Sequence, residues 1–356
     1  MTQRTRIKTL TFVVGTGRSG STALSRILRL HPDILSLNEL CASLPETPAF
    51  GERPLSGPEF WHMLTAPTTV FDTMIRSGVP LPEFLYNRHP EWRYSAETTG
   101  IPAICLMVLP HLTDQPDALL DSLEPEVRGW PRRPPAEQWT AFFDLLAART
   151  GGREAAVERS GYSLGLVPRL RRLFPEARFV HLFRDGPDCA LSMSRHNGYR
   201  MIALLRQMLR LSGVDTAAEL TESHIERLPE DLSALLGERF DPALLTEREL
   251  PVADFGALWS ELIVEGVDHL SAVPRERRMD LSYEGLLDAP RQELARLAEF
   301  AGVQPLAEWL AEGAELLDGD GRRGSALSLP PAELAELRKQ CAPGARALGR
   351  TEPLAR

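Results

Sequence analysis

Short apolar runs and amphipathic segments alternate along the chain. Phe12-Val13-Val14 end in a loop of glycine and hydroxyl residues, and the segment 21–30, STALSRILRL, then has apolar residues at helical spacing. The same order returns at 177–194, ARFVHLF followed by RDGPDCALSMS, and at 277–303, RRMDLS followed by YEGLLDAPRQELARLAEFAGV. Strands that alternate with helices predict an α/β fold, in which a parallel sheet is flanked by helices.

Two long stretches do not follow this alternation. Residues 45–150 are rich in proline and aromatic residues, and residues 200–275 have helical patterns throughout. We predict a single domain over residues 1–356, in which both stretches are helical insertions that cover the substrate. The 200–275 stretch is equally compatible with the surface of a homodimer. An aromatic cluster in the first insertion fits either a packed core or a pocket wall: Trp61, His62, Phe71, Tyr86, Trp92 and Tyr94.

Composition narrows the class of protein. The 356 residues include 43% hydrophobic and 25% charged residues, which is ordinary for a globular protein. The net charge of −9 disfavours nucleic acid as a partner. The four cysteines are far apart and match no metal or redox spacing. No apolar run approaches the roughly 18 residues of a membrane helix. We therefore expect a cytoplasmic protein without membrane contact, and the abundance of Arg, Ala and Pro indicates a bacterial source.

The first glycine-rich loop is typical of a phosphate site, and three ligands compete for it. Gly15 and Gly20 have the spacing of a nucleoside-triphosphate loop, but Ser21 occupies the position of its lysine. With Gly17 they also form G-x-G-x-x-G, the dinucleotide fingerprint, and Glu39 lies about 20 residues beyond, where the ribose-binding acid is expected. The hydroxyl residues and the arginine within the loop instead favour a charged terminal phosphate at a helix N-terminus.

A second loop raises the number of expected phosphate sites to two. The predicted strand 178–183 ends at Arg184, and Ser192 lies within the helix that follows. This loop leaves the carboxyl end of its strand, where ligands of α/β sheets bind. A dinucleotide joins its phosphates in one pyrophosphate, whereas a nucleotide phosphorylated at its 3′ and 5′ positions has two separate groups. The second loop therefore favours a nucleotide of the latter kind.

Three blocks of sequence resemble the sulfotransferases that use 3′-phosphoadenosine 5′-phosphosulfate (PAPS). They are GRSGSTALSRILRLHPDILSLNE at 17–39, LFPEARFVHLFRDGPDCALSMSR at 173–195 and LSYEGLLDAPRQELARLAEFAGV at 281–303. The pattern is most similar to the branch that contains the protein-tyrosine sulfotransferases and many bacterial relatives. The resemblance implies a P-loop-like sulfotransferase fold with helical insertions, PAPS as co-substrate and no metal.

The resemblance also implies which residues bind PAPS. The first block supplies the loop for the 5′-phosphosulfate, and the second block supplies Arg184 and Ser192 for the 3′-phosphate. Tyr283 corresponds to the adenine-binding tyrosine of the third block, whereas Ala23 stands where some relatives have a tryptophan that stacks on adenine. A basic loop further on resembles a segment that closes over the 3′-phosphate in some members. The remaining residues are Arg18, Ser19, Gly20, Ser21 and Thr22 in the first loop, and Arg322, Arg323 and Gly324 in the basic loop.

Glu39 corresponds to the catalytic carboxylate of the tyrosine-sulfotransferase branch. A carboxylate at that position can take the proton of an acceptor hydroxyl that attacks sulfur. Arg159 stands where relatives have a lysine that stabilises the transferring sulfonate, and Arg18 would share this role. Other sulfotransferases use a histidine as the base, which leaves His111 and His62 as alternatives.

The resulting hypothesis is a PAPS-dependent sulfotransferase that transfers a sulfonate group to a hydroxyl of a small molecule, such as a phenol or a natural product. The sequence does not distinguish phenol, alcohol, sugar and peptide tyrosine as acceptors. Two other functions stay open at this point. One is an NAD(P)-dependent oxidoreductase of the Rossmann type, and the other is a non-catalytic nucleotide-binding protein.

Overall fold

The computed structural model describes residues 6–44, 49–318 and 323–350. Within them, five parallel strands form one sheet with the order β2-β3-β1-β4-β5. At least one helix separates each strand from the next along the chain, because parallel neighbours need crossover connections. The strands are β1 (Thr9–Gly15), β2 (Ile34–Asn38), β3 (Ala155–Arg159), β4 (Arg178–Phe183) and β5 (Arg278–Ser282).

Helices connect the strands, and the predicted α/β fold is confirmed. Within the described ranges, none of the helices is long and apolar enough to cross a membrane. Both predicted insertions contain helices and no strand of the sheet in their described parts. In chain order the helices are α1 (Ser21–Leu30), α2 (Leu40–Ser43), α3 (Gly57–Thr65), α4 (Thr69–Arg76), α5 (Ala103–Met107), α6 (Leu109–Leu112), α7 (Pro116–Arg128), α8 (Pro135–Arg149), α9 (Val167–Leu173), α10 (Gly186–Ser194), α11 (Asn197–Ser212), α12 (Glu222–Ile225), α13 (Glu230–Ser233), α14 (Pro242–Thr246), α15 (Val252–Ser271), α16 (Tyr283–Asp288), α17 (Pro290–Ala301), α18 (Ala307–Asp318) and α19 (Pro331–Ala347).

The two faces of the sheet belong to separate hydrophobic clusters. Val13, with Val157 and Val180 of the neighbouring strands, packs with apolar residues of α1 and α17. Phe12 and Val14 point to the opposite face, because successive side chains of a strand alternate, and they join a larger cluster that extends into the insertions. Burial on both faces explains why the strands appear in the sequence as continuous apolar runs.

The first insertion consists largely of packed core. Trp139 on α8 is 1% exposed, and its indole N–H donates to a backbone carbonyl at 2.7 Å. Tyr86 is fully buried, with Trp92 and Tyr94 packed beside it. His62, in contrast, is exposed on α3. The aromatic cluster therefore stabilises the insertion itself, and the structure favours the core interpretation over the pocket wall.

Trp259 on α15 holds three helices together. Its side chain is 1% exposed and lies between Gly186, at the start of α10, and Gly344 in α19. A β-carbon at either glycine would come within 2.6 Å of a ring atom. Only glycine therefore fits at both positions without displacing the indole.

We expect Gly186→Ala to lower the free energy of unfolding by about 1–3 kcal/mol, because an extra methyl group forces the indole or the helix to move. Thermal unfolding should show this loss as a fall in Tm of several degrees. Gly165→Ala is the matched control, since nothing lies within 4 Å of a β-carbon at that position. Equal Tm values for the two variants would contradict the tight packing around Trp259.

Candidate active site

The predicted phosphate loop has an unusual backbone. It joins β1 to α1, and Gly17, Arg18 and Gly20 have positive φ angles of 73°, 56° and 79°. Gly20 also lies against the ring of Tyr283, where a β-carbon would be 2.2 Å from the nearest ring atom. The helix α1 that follows has no side-chain cap and no acidic residue in its first turn. Its N-terminal amides are therefore available to an anion.

Arg18 joins the first predicted phosphate site to the second. Its Nε donates to the hydroxyl of Ser192 at 3.2 Å, and its Nη1 donates to Glu83 Oε1 at 3.2 Å. The resemblance assigns Arg18 and Ser192 to different phosphates, yet the two side chains are in direct contact. The two predicted phosphate sites are therefore adjacent.

The hydroxyl residues of the loop have different surroundings. Ser19 is 1% exposed, and its hydroxyl donates to the carbonyl of Gly17 at 3.1 Å. Ser21 lines a small cleft between the loop and the end of β3, and Arg159 lines the same cleft. Thr22 is exposed at the start of α1. Ser19 lines this cleft as well, so it both stabilises the loop through its hydrogen bond and borders the space that Ser21 and Arg159 face.

The second predicted site brings together three separate parts of the sequence. Arg184 is 7% exposed, and its guanidinium carbon lies 5.0 Å from the centre of the Tyr283 ring. Its Nη2 donates to Asp188 Oδ2 at 3.3 Å. Asp188 also accepts the backbone N–H groups of Gly324 at 2.7 Å and Ala326 at 2.9 Å. The loop after β4, the start of α16 and the basic loop therefore meet at Arg184.

Arg323 also contacts this assembly, whereas Arg322 lies outside the described residues. The Arg323 guanidinium donates to the carbonyl of Glu284 at 2.6 Å and pairs with Asp288 at 2.7 Å. The Glu284 carboxylate in turn accepts the backbone N–H of Asp185 at 2.8 Å. Glu284 therefore links the basic loop to the loop that carries Arg184.

Glu39 and Arg159 form a buried ion pair at the adjoining ends of β2 and β3. Glu39 is 6% exposed, with Oε1 bound to Arg159 Nη1 and Oε2 accepting the N–H of Gly161 at 3.0 Å. Arg159 Nη2 donates to Asn38 Oδ1, and its Nε donates to the hydroxyl of Ser25 at 2.7 Å. These bonds use three of the five N–H donors of the guanidinium, so two are left for a ligand in the cleft.

Gly161 lies where the loop, the candidate base and α11 meet. A β-carbon at Gly161 would be 3.5 Å from the Cα of Gly17, 3.7 Å from Glu39 Oε1 and 3.8 Å from the hydroxyl of Tyr199. Tyr199 itself donates to the carbonyl of Thr16 and so supports the loop from below. A β-carbon at Gly161 would therefore touch all three groups, and a longer side chain would meet the Glu39 carboxylate.

Backbone strain is concentrated around this site. In the described part of the chain, the non-glycine residues with positive φ are Arg18, Glu39 and Tyr162. Each such residue costs about 1–3 kcal/mol and persists only where its surroundings impose the conformation, as they do at functional sites. The phosphate loop, the candidate base and the loop after β3 each contain one of them. The strain therefore marks the same region as the predicted chemistry.

A second carboxyl group, Glu158, lies behind Glu39 in the core of the sheet. Its Oε1 accepts the hydroxyl of Ser160 and the N–H of Cys41, the latter at 3.2 Å. Burial raises the pKa of Glu158 to about 7, against the hydrogen bonds it accepts, and the nearby charge of Glu39 adds to this shift. Glu158 is therefore partly protonated at neutral pH and supports the start of α2 beside Glu39.

At pH 8 we expect Glu158→Gln to raise the free energy of unfolding by up to about 3 kcal/mol. The folded protein binds the Glu158 proton more tightly than the unfolded chain, because the pKa rises from 4.5 to about 7 on folding. The resulting stabilisation is complete below pH 4.5 and is lost as the pH rises to about 7. Denaturant unfolding of the glutamine variant should therefore depend less on pH in that range. Glu154→Gln, at a half-exposed pair with Lys8, is the control, and a variant that keeps the full wild-type pH dependence would refute the assignment to Glu158.

The two histidines that the sequence left as alternative bases lie elsewhere. His111 is 6% exposed, and its Nε2 is 3.1 Å from the hydroxyl of Ser36 on β2. Burial, together with the positive charges of Arg159 and Arg29, lowers the pKa of His111 to about 3. His62 is exposed on α3. Among the described residues, neither histidine hydrogen-bonds to the loop or to Glu39, so both lie apart from the other predicted site residues.

Several residues of the site were missed by the sequence reasoning. Asn38 directly precedes Glu39 at the same strand end, and that position is the signal that could have identified it. Glu83 contacts Arg18 across 65 positions of the chain, and His196 bonds to Glu83 at 3.1 Å. No local pattern in the proline-rich insertion indicates Glu83, because its role depends on how the insertion folds back onto the loop.

The remaining features of the described chain lie outside this site. Its residues contain no group of three or more His, Cys, Asp or Glu side chains that could hold a metal ion. A larger cavity of about 1450 Å³ lies at the opposite edge of the sheet, where Thr9 of β1 and Arg178 of β4 line it. None of the predicted site residues lines that cavity. The carboxyl edge of the sheet is therefore the candidate active site.

The fold and the loop at its carboxyl edge define a P-loop-like α/β protein. A model of the sulfotransferase family matches residues 11–241, which is more than half of the chain. The chain belongs to the sulfotransferase family, and the protein is a sulfotransferase. No curated protein matches the chain.

Three solved structures that are similar to this chain are sulfotransferases, and their sequence identity to it is low. The sulfotransferase domain of the Synechococcus PCC 7002 olefin synthase is 16% identical, with 99% of each chain covered and a TM-score of 0.45. The sulfotransferase domain of the curacin biosynthetic pathway is 15% identical, with 98% of this chain and 100% of that chain covered and a TM-score of 0.46. A sulfotransferase from Mycobacterium avium is 15% identical, with 96% and 76% covered and a TM-score of 0.44.

Proposed function

We propose that this sulfotransferase uses PAPS as its sulfonate donor and a small-molecule hydroxyl compound as its acceptor. The observation that carries the proposal is the pair of arginines at one edge of the sheet. Arg184 Nη1 donates to the backbone carbonyl of Arg18 at 3.5 Å, so the Arg184 side chain reaches the loop that carries Arg18. A nucleotide with phosphates at both its 3′ and 5′ positions matches two adjacent but separate anion sites.

The residues present fit such a donor. Arg18, Ser21 and the N-terminal amides of α1 would hold the 5′-phosphosulfate, with the backbone of Ser19 and Gly20 in the same loop. Arg184 would hold the 3′-phosphate together with Ser192, which bonds to Arg18, and with the basic loop at Arg323 and Gly324. Tyr283 is 4% exposed and lies between Gly20 and Arg184, so it would support the donor between the two sites. When bound, PAPS supplies the sulfonate group, and adenosine 3′,5′-bisphosphate is the product.

The chemistry that we propose assigns a proton acceptor and two cations. Glu39 accepts the proton of the acceptor hydroxyl, whose oxygen forms a bond to sulfur as the bond from sulfur to the phosphate oxygen breaks. Arg18 and Arg159 offset the negative charge on the sulfonate and on the departing phosphate oxygen. Burial of Arg159 and Glu39 keeps water away from these charges and strengthens their interaction. The acceptor hydroxyl would approach Glu39 from the cleft that Gly161 and Arg159 line.

The test is a thermal-shift panel with adenosine 3′,5′-bisphosphate, NAD⁺, NADP⁺ and Mg·ATP. A ligand at a hundred times its dissociation constant stabilises the folded state by about 2.7 kcal/mol, which raises Tm measurably. We expect the bisphosphate alone to raise Tm. A shift with NAD⁺ or NADP⁺ instead would replace the proposal with the oxidoreductase function. Binding of the bisphosphate without sulfonate transfer to any of a panel of phenols, alcohols and sugars would favour a non-catalytic nucleotide-binding protein.

A further inference from the structure

A partly buried carboxylate from the first insertion contacts the predicted phosphate loop. Glu83 follows α4 in a proline-rich segment, and its side chain is 16% exposed. Its Oε1 accepts from Arg18 Nη1 at 3.2 Å, and its Oε2 lies 3.1 Å from His196 Nε2. The resemblance assigns no role to Glu83 or His196. Their contact with a predicted donor-binding arginine nevertheless places them at the edge of the active site.

The proton positions in this cluster follow from the backbone. His196 precedes α11, and its Nδ1 accepts the N–H of Gly198 at 3.2 Å. A neutral imidazole that accepts at Nδ1 carries its proton at Nε2. His196 therefore donates to Glu83. Burial raises the pKa of Glu83, but the hydrogen bond from His196 and the charge of Arg18 outweigh burial and hold that pKa below its ordinary value.

Two contacts leave most of the Arg18 guanidinium unused. Arg18 Nε donates to Ser192 and one N–H of Nη1 donates to Glu83, which leaves three of its five N–H groups for a ligand. A planar guanidinium held at two of its three nitrogens has little freedom to rotate. Glu83 therefore holds the Arg18 guanidinium in one orientation and leaves its other N–H groups accessible to a ligand. The backbone of Arg18 is strained, with a φ of 56°. Such a conformation persists where the surroundings impose it, and the contacts of the side chain with Ser192 and Glu83 are part of those surroundings.

We propose that Glu83, fixed by His196, is a positioning residue that orients Arg18 toward the 5′-phosphosulfate of the donor. The first insertion then completes the donor site in addition to covering the acceptor. This inference rests on the proposed donor. It predicts a selective defect, because Arg18 faces the 5′ group, whereas Arg184 faces the 3′-phosphate.

The experiment compares two nucleotides on the full-length protein by isothermal titration calorimetry. Adenosine 3′,5′-bisphosphate carries both phosphates, and adenosine 3′-monophosphate lacks the 5′ group. We expect Glu83→Gln to weaken binding of the bisphosphate about tenfold, as loss of a charge-assisted hydrogen bond does, and to leave the monophosphate affinity unchanged. A carboxamide cannot accept from both Arg18 and His196, since one of its two ends is a donor. Glu91→Gln is the matched control, because Glu91 pairs with a histidine on the exposed surface of the same insertion.

A second variant protects the test against misfolding. His196→Asn keeps an acceptor for the N–H of Gly198, as asparagine does at helix N-termini, and removes the donor to Glu83. This variant should lower the affinity for the bisphosphate two- to threefold and leave the affinity for adenosine 3′-monophosphate unchanged.

The other possible results of the Glu83→Gln experiment each contradict either the inference or the proposed donor. Unchanged or tighter binding of the bisphosphate by Glu83→Gln overturns the inference, since a tighter complex would mean that Glu83 competes with the donor. Equal loss of both nucleotides would indicate a general structural role and also overturns it. Failure of the wild-type protein to bind the bisphosphate would instead refute the proposed donor.

Discussion

Replacing Glu39 with glutamine is expected to lower sulfonate transfer by roughly 10²- to 10⁴-fold, the usual contribution of a general base. Glutamine has nearly the same shape and accepts the N–H of Gly161, but it cannot take a proton from an acceptor hydroxyl. The affinity for adenosine 3′,5′-bisphosphate should stay within about twofold, because Glu39 contacts none of the loop residues Arg18 to Thr22. The measurement is the initial rate with PAPS and an acceptor found by screening the wild-type protein, beside calorimetric binding of the bisphosphate.

The control for this variant must account for the ion pair. Loss of one partner of a buried pair costs about 3–5 kcal/mol of stability, because Arg159 keeps its charge in the core. Activity should therefore be measured well below the Tm of the variant. Glu91→Gln again serves as the surface control. A Glu39→Gln enzyme that folds, binds the bisphosphate and turns over near the wild-type rate would show that another group is the base.

Replacing Arg184 with glutamine is expected to lower the affinity for adenosine 3′,5′-bisphosphate by roughly 30- to 100-fold. This is the effect of losing about 2–3 kcal/mol of binding free energy from charge-assisted hydrogen bonds. Arg184 is buried against Tyr283 and Asp188, so the phosphate that it meets is also shielded from water. Adenosine 5′-phosphosulfate, which lacks the 3′-phosphate, should bind the variant and the wild type equally. Calorimetry with the two nucleotides measures this selectivity directly.

Arg195→Gln tests whether the effect of Arg184→Gln is local or follows from the loss of any positive charge in this region. Arg195 is exposed at the end of α10, so its replacement removes the same charge near the same helix. That variant should bind both nucleotides as the wild type does. Equal weakening by Arg184→Gln and Arg195→Gln would reduce the effect to long-range electrostatics, and the 3′-phosphate assignment would then be wrong.

The sequence predicted those parts of the fold that depend on local pattern. Apolar runs such as 178–183 are strands because burial on both faces demands uninterrupted apolar residues. Gly17 and Gly20 indicate the loop because glycine adopts positive φ angles without penalty, and a β-carbon would collide with Tyr199 at position 17 and with Tyr283 at position 20. Arg184 and Glu39 could be proposed as site residues because each follows a recognisable strand, and parallel strands end at one edge of the sheet.

The rest of the site depends on contacts between distant segments. Glu83 lies in an insertion whose proline-rich sequence has no periodicity, so nothing in its neighbourhood indicates that it reaches Arg18. Asp188 appears in the sequence as a helical acid one turn from Arg184, and only the structure adds the amides of Gly324 and Ala326. Gly161 has no local signal at all, because its importance lies in what surrounds the missing side chain. Such roles arise from tertiary packing, which a linear pattern does not contain.

The contacts of Asp188 also have a consequence for the order in which a ribosome makes this protein. Asp188 accepts hydrogen bonds from Gly324 and Ala326, which lie 136 and 138 positions further along the chain. Gly344, which packs against Trp259, lies further along the chain again. At roughly 5–20 residues per second, synthesis takes several seconds to pass from the last strand to these segments. A nascent chain therefore contains all five described strands before it contains all residues of the proposed nucleotide site. Binding of nucleotide would report synthesis past residue 326, whereas formation of the sheet would not.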